Sequence, residues 1–250
     1  MAAATGVDMT SPSNCWSSWP RTYQEAVALQ EQLRHQVQLI PLPCPPRFVG
    51  GADAICDRGD TRIFGAMVVY TYPELELVEE TGAAGVCPFP YRTGLLSFRE
   101  VPILAEAFAR LKQRPDVLLV DGQGLAHPRG LGLAAHLGLV LDLPTIGVAK
   151  SRLVGQGEEP GLEAGAASPL ILAGKVVGMI LRTQKGRKPF YLSPGHKITL
   201  AEAREIVLGC VRRYRSPEPL RQADSLSRRL RSETVNLDVR RGDARHDGPK

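Results

Sequence analysis

Hydrophobic positions recur at two different spacings in the first third of the chain. Across residues 23–39 apolar side chains return every three to four positions, which predicts an amphipathic helix. A proline-rich run at 41–46 ends that helix. Three segments enriched in β-branched and aromatic residues follow, and they predict strands over residues 48–55, 63–72 and 75–80. The short turn between the last two strands predicts an antiparallel meander.

The pattern changes after a loop at 82–94. A helix is predicted at 101–113, and short apolar strands then alternate with helices, which is typical of a parallel half-sheet covered on both faces. The remaining predicted elements are a strand at 117–120, a helix at 131–141, a strand at 145–149, a hairpin of 170–172 with 175–183, a strand at 190–192 and a helix at 200–213. This order predicts an α/β fold, a ribonuclease-H-like mixed sheet flanked by helices.

Length and composition predict one domain between two less ordered segments. The chain has 250 residues, of which 43% are hydrophobic and 23% are charged, as in a typical globular domain. Residues 1–20 are small and polar, and we expect a flexible leader there. A single domain is expected over residues 21–230. Residues 231–250 are expected to form a basic, disordered tail.

The net charge of +5 is distributed unevenly. Residues 212–250 contain 11 basic and 6 acidic side chains, so the rest of the chain has 20 of each. The stretch 164–201 contains no acidic residue, and its basic residues include Arg182, Lys185, Arg187, Lys188 and Lys197. This stretch either contacts a phosphate backbone or forms a solvated polar hairpin.

Several classes of protein are excluded by what the chain lacks. No stretch approaches the ~18 uninterrupted apolar residues of a transmembrane helix. The N-terminus has neither the basic nor the apolar region of a secretory signal. The five cysteines are scattered without a Cys-x-x-Cys pair, which disfavours a disulfide framework or a cysteine zinc site. We therefore expect a soluble, cytoplasmic protein that does not contact a membrane.

Two aspartates in predicted strands are candidates for metal binding. Asp53 lies among small residues in the first strand, and Asp121 ends the apolar strand at 117–120. These strands should be neighbours in the predicted sheet, and two close carboxylates repel unless a cation lies between them. Oxygen ligands of this kind suit Mg²⁺ or Mn²⁺. The alternatives are that Asp121 caps a strand-to-loop turn and that Asp53 pairs with Arg62.

Glu100 has two interpretations. The segment Ser97-Phe98-Arg99-Glu100 matches a capping box, in which Glu100 would only fix the start of a helix. Pro102 would then lie at the fifth helical position, where its ring and missing N–H are costly. A helix that begins nearer Glu100 places Pro102 in the tolerated first turn and frees the carboxylate. We therefore favour a functional role for Glu100.

Three further residues have both a structural and a functional interpretation. His196 precedes the last predicted helix, where a histidine is either a cap or surface residue or an active-site group. Lys150 ends the strand at 145–149 and either extends to solvent or meets a substrate. Tyr91 lies in an exposed loop or folds back on the core. Residues 130–135 match the dinucleotide motif G-x-G-x-x-A but do not directly follow a strand, so a dehydrogenase is disfavoured.

Taken together, the motifs resemble the endonuclease V family in its bacterial form. The resemblance spans roughly residues 24–230, and the motifs follow the family's order. They lie at Pro90–Glu100, Val120–Arg129, Pro144–Ser151, Ser193–His196 and Pro217–Asp224. The sequence departs from the family after Tyr91, where Arg92-Thr93 replaces Ile-Pro. We expect this loop to be looser and the discrimination of the lesion to be less sharp.

The resemblance implies a ribonuclease-H-like, Mg²⁺-dependent DNA-repair endonuclease, with Mn²⁺ as a substitute. Its substrate would be DNA containing deoxyinosine, the product of adenine deamination, nicked at the second phosphodiester bond 3′ to the lesion. By the same resemblance, the catalytic residues are Asp53, Glu100, Asp121, Lys150 and His196, and the metal ligands are Asp53, Asp121 and Glu100. The substrate-binding residues are Tyr91, a wedge in the base stack, and the pocket residues Gly94, Leu96, Gly122, Gly124 and His127.

The sequence leaves two other functions open. The same chemistry on inosine-containing RNA would depend on contact with a 2′-hydroxyl, which no motif identifies. A non-catalytic nucleic-acid-binding module would have no need of three acids and a histidine together. We expect the protein to be monomeric.

Overall fold

A computed structural model describes residues 19–59 and 61–243, with side chains as far as Thr234. Its strands are β1 Phe48–Cys56, β2 Arg62–Thr71, β3 Leu77–Val86, β4 Val117–Val120, β5 Thr145–Ala149, β6 Ala167–Leu172, β7 Lys175–Leu181 and β8 Phe190–His196. Its helices are α1 Tyr23–Leu33, α2 Leu96–Ala109, α3 Leu133–Leu141, α4 Leu200–Gly209 and α5 Glu218–Asp243, and a 3₁₀ turn at Arg34–Gln36 follows α1.

The strands form one eight-stranded mixed sheet across the described residues, in the order β3-β2-β1-β4-β5-β8-β7-β6. The first three strands are the predicted antiparallel meander. The central strands β1, β4 and β5 are parallel, and β8, β7 and β6 extend the sheet in antiparallel fashion. This arrangement, with helices on the sheet, confirms the predicted ribonuclease-H-like fold class.

Helices cover both faces of the sheet. On one face α4 and α5 bury apolar residues such as Ile206 and Leu220. On the other face α2 and α3 bury residues such as Leu104 and Leu137. The central strands are therefore buried on both sides, which explains their almost continuous apolar sequences. None of the helices described is both long and apolar enough to cross a bilayer.

The register of the central strands places two of the predicted acids side by side. Ala52 of β1 lies opposite Val120 of β4, so Asp53 and Asp121 are the next residues on adjacent parallel strands. The backbone N–H of Asp121 donates to the carbonyl of Ala52 at 3.2 Å. Since side chains alternate along a strand, both aspartates share the face covered by α5.

Helix α5 approaches β1 closely because Gly51 has no side chain. A Cβ atom at Gly51 would lie only 2.2 Å from the carbonyl oxygen of Pro219. The residues of α5 that face the sheet recur at helical spacing and are Leu220, Ala223 and Leu226. This close contact brings polar residues of the same helix over the ends of β1 and β4.

The sequence analysis predicted no element where α5 lies. It also expected residues 231–250 to be disordered, whereas α5 continues to Asp243; residues 244–250 lie outside the described part of the chain. The helix was missed because most of its residues are polar, so its folding depends on a narrow apolar stripe that only the sheet completes.

The predicted leader at 1–20 ends earlier than expected. Pro20 is buried and Trp19 is partly buried, so both belong to the folded domain. Residues 1–18 lie outside the described residues, and the prediction for them stays a prediction.

Helix α1 is shorter than the predicted 23–39. It begins with a capping box formed by Thr22 and Glu25. Farther along, the backbone N–H of Gln38 donates to Nδ1 of His196 at 3.2 Å, and its carbonyl accepts from the N–H of Lys197 at 2.7 Å. These tertiary hydrogen bonds hold the chain in an extended conformation that a helix would not permit.

Helix α2 begins earlier than predicted and contains Pro102 within it. Pro102 has no N–H for the carbonyl of Phe98 four residues before it, and the indole of Trp19 donates to that carbonyl at 2.7 Å instead. The capping box is also absent, because the Ser97 hydroxyl bonds Nδ1 of His136 at 3.0 Å. Both interpretations of the helix start were therefore wrong.

Candidate active site

Three carboxylates meet where β1, β4 and α5 come together. Asp53 projects from β1, Asp121 directly follows β4, and Asp224 extends from α5. One carboxylate oxygen from each lies within 4.8 Å of the other two. The sequence analysis paired Asp53 with Asp121 but gave no role to Asp224.

Burial of Asp53 determines the electrostatic character of this acid cluster. Burial raises the pKa of Asp53 to about 6, and the negative charges of Asp121 and Asp224 act in the same direction. The Ser227 hydroxyl donates to Asp53 Oδ2 at 2.5 Å and opposes the rise. Arg62, the alternative partner considered for Asp53, forms an ion pair with Asp57 at 3.4 Å.

Two basic side chains neutralise the other acids of the cluster. The ammonium group of Lys150 lies 2.5 Å from Asp121 Oδ2. Burial lowers the pKa of Lys150, but the charge and hydrogen bond of Asp121 outweigh burial and raise it. The guanidinium of Arg228 contacts both oxygens of Asp224 and holds the pKa of that carboxyl below its usual range.

Glu100 lies near the acid cluster without joining it. It extends from α2, on the opposite face of the sheet, and is not among the acids whose oxygens approach within 4.8 Å. Burial raises its pKa well above the usual range, and the charges of Asp53 and Asp121 add to this effect. Asp224 is therefore the third acid of the cluster, and the predicted role of Glu100 as a metal ligand stays a prediction.

The donor set of the cluster suits a divalent cation. Asp53, Asp121 and Asp224 offer only oxygen atoms, and the groups around them leave space on the solvent side because all three are only partly buried. Carboxylate oxygens with open positions for water are the preferred environment of Mg²⁺ and Mn²⁺. A cation would also relieve the repulsion that raises the pKa of Asp53.

A cavity of about 360 Å³ opens beside the acid cluster. Asp121 and Lys150 form part of its wall. It also collects five of the six predicted substrate-binding residues, namely Tyr91, Gly94, Leu96, Gly122 and His127. Gly124 does not line it; a Cβ at that position would lie 2.1 Å from the carbonyl oxygen of Pro194, so Gly124 permits close packing on β8 instead.

The carbonyl of Gly94 is fixed by three side chains. Gln30 Nε2 donates to it at 3.1 Å, Arg129 Nη2 at 2.7 Å and His127 Nε2 at 3.0 Å. The backbone of Gly94 has a φ of +78°, which a glycine adopts without strain. We refer to Gln30, His127 and Arg129 as the Gly94 clamp. The clamp fixes the end of the loop that carries Tyr91.

His127 acts in this clamp as a neutral side chain. Burial lowers its pKa to about 4, and the nearby charge of Arg129 contributes. Nδ1 accepts a hydrogen bond from the backbone N–H of Arg129 at 3.2 Å, so the ring hydrogen lies on Nε2 and is donated to Gly94.

Comparisons with known proteins show the family to which the chain belongs. The family model described as endonuclease V matches residues 31–225. Endonuclease V of Nostoc sp. is 46% identical over 210 residues, which cover 84% of this chain and 95% of that protein. The chain belongs to the endonuclease V family. It is therefore a nuclease that hydrolyses phosphodiester bonds, in a family that is metal-dependent and acts in DNA repair.

Solved structures of endonuclease V extend the comparison. The crystal structure from Streptomyces avermitilis is 43% identical with a TM-score of 0.83, and the match covers 87% of this chain and 96% of that one. Endonuclease V from Ciona intestinalis, in complex with a 23mer DNA containing an inosine followed by a ribo-adenosine, is 29% identical with a TM-score of 0.77. That match covers 84% of this chain and 97% of the Ciona chain.

The structure separates His196 from the other predicted endonuclease V residues. His196 ends β8 and pairs with Thr145 at the start of β5, whereas Lys150 follows the end of β5. Five residues of extended strand separate the two ends, or about 17 Å. His196 is buried, and Nδ1 accepts from the N–H of Gln38. Its predicted catalytic role was wrong, and it instead fixes the segment after α1.

Tyr91 is exposed at the edge of the endonuclease V cavity. Its side chain is 63% exposed, so the alternative in which it folds back on the core was wrong. Arg92 and Thr93, which replace the usual Ile-Pro, also line the cavity.

The basic stretch at 164–201 is mainly structural. Arg182 is buried and donates to the backbone carbonyls of Gly161 and Pro160 at 2.7 and 3.0 Å. Lys185 pairs with Glu163 at 2.8 Å and Lys197 with Asp142 at 2.5 Å. Burial makes Arg182 a structural residue, whereas Lys185 and Lys197 form ion pairs, and the contact of this stretch with a phosphate backbone stays a prediction.

Proposed function

We propose that this endonuclease V recognises deoxyinosine in DNA and hydrolyses the second phosphodiester bond 3′ to the lesion, using Mg²⁺ or Mn²⁺. The observation that carries the proposal is the position of the acid cluster at the wall of the 360 Å³ cavity. The proposed hydrolytic site and a pocket large enough to hold a base are thereby adjacent. The Ciona relative bound to inosine-containing DNA supports the substrate class.

Asp53, Asp121 and Asp224 would hold the metal ion, each through a carboxylate oxygen. A divalent ion in that position polarises the phosphate and lowers the pKa of a bound water. Burial, together with the charges of Asp53 and Asp121, raises the pKa of Glu100, and a divalent ion in the cluster would oppose that rise.

Lys150 would stabilise the negative charge that develops on the reacting phosphate. In the absence of substrate its ammonium group is held by Asp121 at the cavity wall. With a divalent ion held by Asp121, this ammonium would be available to a phosphate oxygen. A fixed positive charge at that point favours the transition state over the ground state.

The cavity would receive the lesion base after the base has left the stack. The N-terminus of α2 has no side-chain cap, so the N–H groups of Leu96 and Ser97 are available as donors at the cavity wall. Hypoxanthine presents a carbonyl oxygen where adenine presents an amino group, so these donors favour the deaminated base. Tyr91 would fill the gap left in the duplex.

The test is a gel assay with purified protein and Mg²⁺ on matched end-labelled oligonucleotides. One carries a central deoxyinosine in DNA, one carries inosine in RNA, and one carries adenine. We expect a single nick one nucleotide beyond the lesion in the DNA substrate, abolished by EDTA. Cleavage of the RNA alone would assign the chemistry to RNA turnover. Binding without cleavage under any divalent metal would support the binding-module alternative.

A further inference from the structure

Arg228 lies beside the acid cluster and has no role in the reaction described above. It follows Asp224 by one turn of α5. Its Nε lies 2.9 Å from Asp224 Oδ2 and its Nη2 lies 3.0 Å from Oδ1, so the guanidinium occupies both oxygens of the carboxylate. The Arg228 side chain is nevertheless 57% exposed, so it has room to move away from Asp224.

All three acids of the cluster act on this guanidinium. The hydrogen bonds and charge of Asp224 raise the pKa of Arg228, and the charges of Asp53 and Asp121 raise it further. Arg228 and Lys150 therefore both place positive charge beside the three carboxylates.

A divalent ion and Arg228 compete for Asp224. The ion would take one oxygen of Asp224 beside those of Asp53 and Asp121, and both Asp224 oxygens already accept charged hydrogen bonds from Arg228, which compete with the ion for their negative charge. The two positive charges also repel each other across a few ångströms. Binding of the ion must therefore weaken the paired geometry of Arg228 and Asp224.

A displaced Arg228 is suited to a phosphate. The guanidinium presents donors in a planar fork that matches two phosphate oxygens, and it is always charged. It extends from α5 at the solvent side of the cluster, where the nucleic-acid backbone must pass for a phosphate to reach the metal ligands. A phosphate of the bound strand is the anion that Arg228 can contact there in place of Asp224.

We propose that Arg228 is a phosphate-binding residue that Asp224 holds until a divalent ion binds, so that ion binding and DNA binding strengthen each other. The inference rests on the metal site and the substrate class of the proposed function. Because coupling between two ligands is reciprocal, DNA must increase the affinity for the ion by the same factor as the ion increases the affinity for DNA.

The first test measures Mn²⁺ binding to the full-length protein without DNA, from the electron paramagnetic resonance signal of free Mn²⁺. Arg228→Ala should bind Mn²⁺ about threefold to fivefold more tightly than the parent, the range expected for loss of a partly exposed ion pair. Arg229→Ala is the matched control. It removes the same charge from the next residue, but Arg229 pairs with Glu80 at 3.0 Å and not with the cluster.

The second test measures binding of a deoxyinosine duplex by fluorescence anisotropy, in EDTA and in Ca²⁺, a hard ion that also takes carboxylate oxygens. A gel run afterwards shows that the duplex is intact. In the parent and in Arg229→Ala, Ca²⁺ should increase the affinity for DNA. In Arg228→Ala this increase should be about fivefold smaller, and Arg228→Lys should recover only part of it because an ammonium cannot bind two phosphate oxygens in parallel.

The outcomes separate this inference from the proposed function. If Arg228→Ala binds Mn²⁺ no more tightly than the parent, or keeps the full effect of Ca²⁺ on DNA binding, the inference is wrong while the metal site stands. If the parent binds no Mn²⁺, the metal site of the proposed function is wrong, and the role of Arg228 is overturned with it.

Discussion

At the scale of single residues, the acid cluster depends on how each carboxylate is neutralised. Asp121 pairs with Lys150 and Asp224 with Arg228, whereas Asp53 has a neutral hydroxyl as its close partner. Asp53 is also the member whose pKa burial raises to about 6. Burial and the neighbouring carboxylates therefore disfavour the charged form of Asp53.

Asp121→Asn should abolish cleavage while binding of DNA persists. The amide keeps the shape of the side chain but removes the charged oxygen that the metal ion and Lys150 share. We expect the rate of nicking in Mg²⁺ to fall by more than about 100-fold, since the metal ligand is lost. Binding is measured by anisotropy and nicking on gels, and residual nicking within tenfold of the parent would contradict the assignment.

Two buried histidines should make the fold sensitive to acid. Burial lowers the pKa of His136 to about 3 and that of His127 to about 4. Both lie below the unfolded value near 6.5, so these two groups bind fewer protons in the native state and their contribution to stability falls as the pH drops from about 6.5 toward 4. The raised pKa values of Asp53 and Glu100 give contributions of the opposite sign. Each histidine should cost about 2 kcal/mol of unfolding free energy at pH 5 relative to pH 7.5.

The measurement compares urea unfolding in EDTA at pH 7.5 and pH 5. His136→Phe should lose about 2 kcal/mol less than the parent between these two pH values. His35→Gln changes an exposed histidine and should follow the parent. Equal losses in the parent and in His136→Phe would show that His136 titrates normally in the folded protein.

At the scale of elements, α1 and α2 position the cavity through a few buried polar contacts. Gln30 of α1 is fully buried and reaches the carbonyls of both Gly94 and Leu131, each at 3.1 Å. Its own side-chain oxygen accepts from Arg129 at 2.5 Å. A helix on the surface thereby fixes the end of the loop that carries Tyr91.

Gln30→Leu should weaken lesion discrimination through the Gly94 clamp. Leucine has a similar size but cannot donate to Gly94, and the buried carbonyl left with fewer partners costs about 1–3 kcal/mol of stability. The ratio of nicking rates on deoxyinosine and adenine duplexes should fall, and Mn²⁺ affinity should stay at the parental value. Gln32→Ala, exposed on the same helix, serves as the control. If the ratio of nicking rates is unchanged in Gln30→Leu, the Gly94 clamp does not contribute to lesion discrimination.

The contact between Trp19 and α2 should depend on Pro102. Trp19→Phe removes the donor to the Phe98 carbonyl and should destabilise the protein by about 1–2 kcal/mol. Pro102→Ala restores the N–H that the helix lacks at this carbonyl. Trp19→Phe should therefore cost less in a Pro102→Ala background, as measured in a double-mutant cycle of thermal unfolding. Equal costs in both backgrounds would contradict the compensation.

At the scale of the whole molecule, the proposed lesion pocket and the proposed metal site come from different parts of the fold. The acids come from β1, β4 and α5, and the cavity wall comes largely from the loop before α2 and from the residues around α3. The two sites meet only at Asp121 and Lys150. They should consequently be separable by mutation.

Tyr91→Ala tests this separation. The change removes an exposed ring from the edge of the cavity and should lower the preference for deoxyinosine over intact DNA by about tenfold, because stacking on a base contributes roughly 1–3 kcal/mol. Mn²⁺ affinity and thermal stability should remain parental. If Tyr91→Ala prefers deoxyinosine as strongly as the parent, Tyr91 does not act as a wedge in the base stack.

The sequence by itself determined the fold class and the central pair of acids. Apolar strands alternating with helices require a buried parallel sheet, and adjacent parallel strands bring Asp53 and Asp121 together. Local pattern was sufficient there because both residues lie at defined positions on neighbouring strands. The family motifs also identified Lys150, Tyr91 and most of the cavity wall.

Only the tertiary structure decided which distant residues complete the site. The family motif Pro217–Asp224 contained Asp224 without giving it a role. Asp224 joins the cluster because the mostly polar helix α5 packs over β1 at Gly51, a contact between residues about 170 positions apart that hydrophobic periodicity does not encode. His196 belongs to the opposite end of the sheet because β8 runs antiparallel to β5, and the sequence carries no direct signal of strand direction. Periodicity reports which residues are buried, whereas strand direction and long-range packing determine which of them meet.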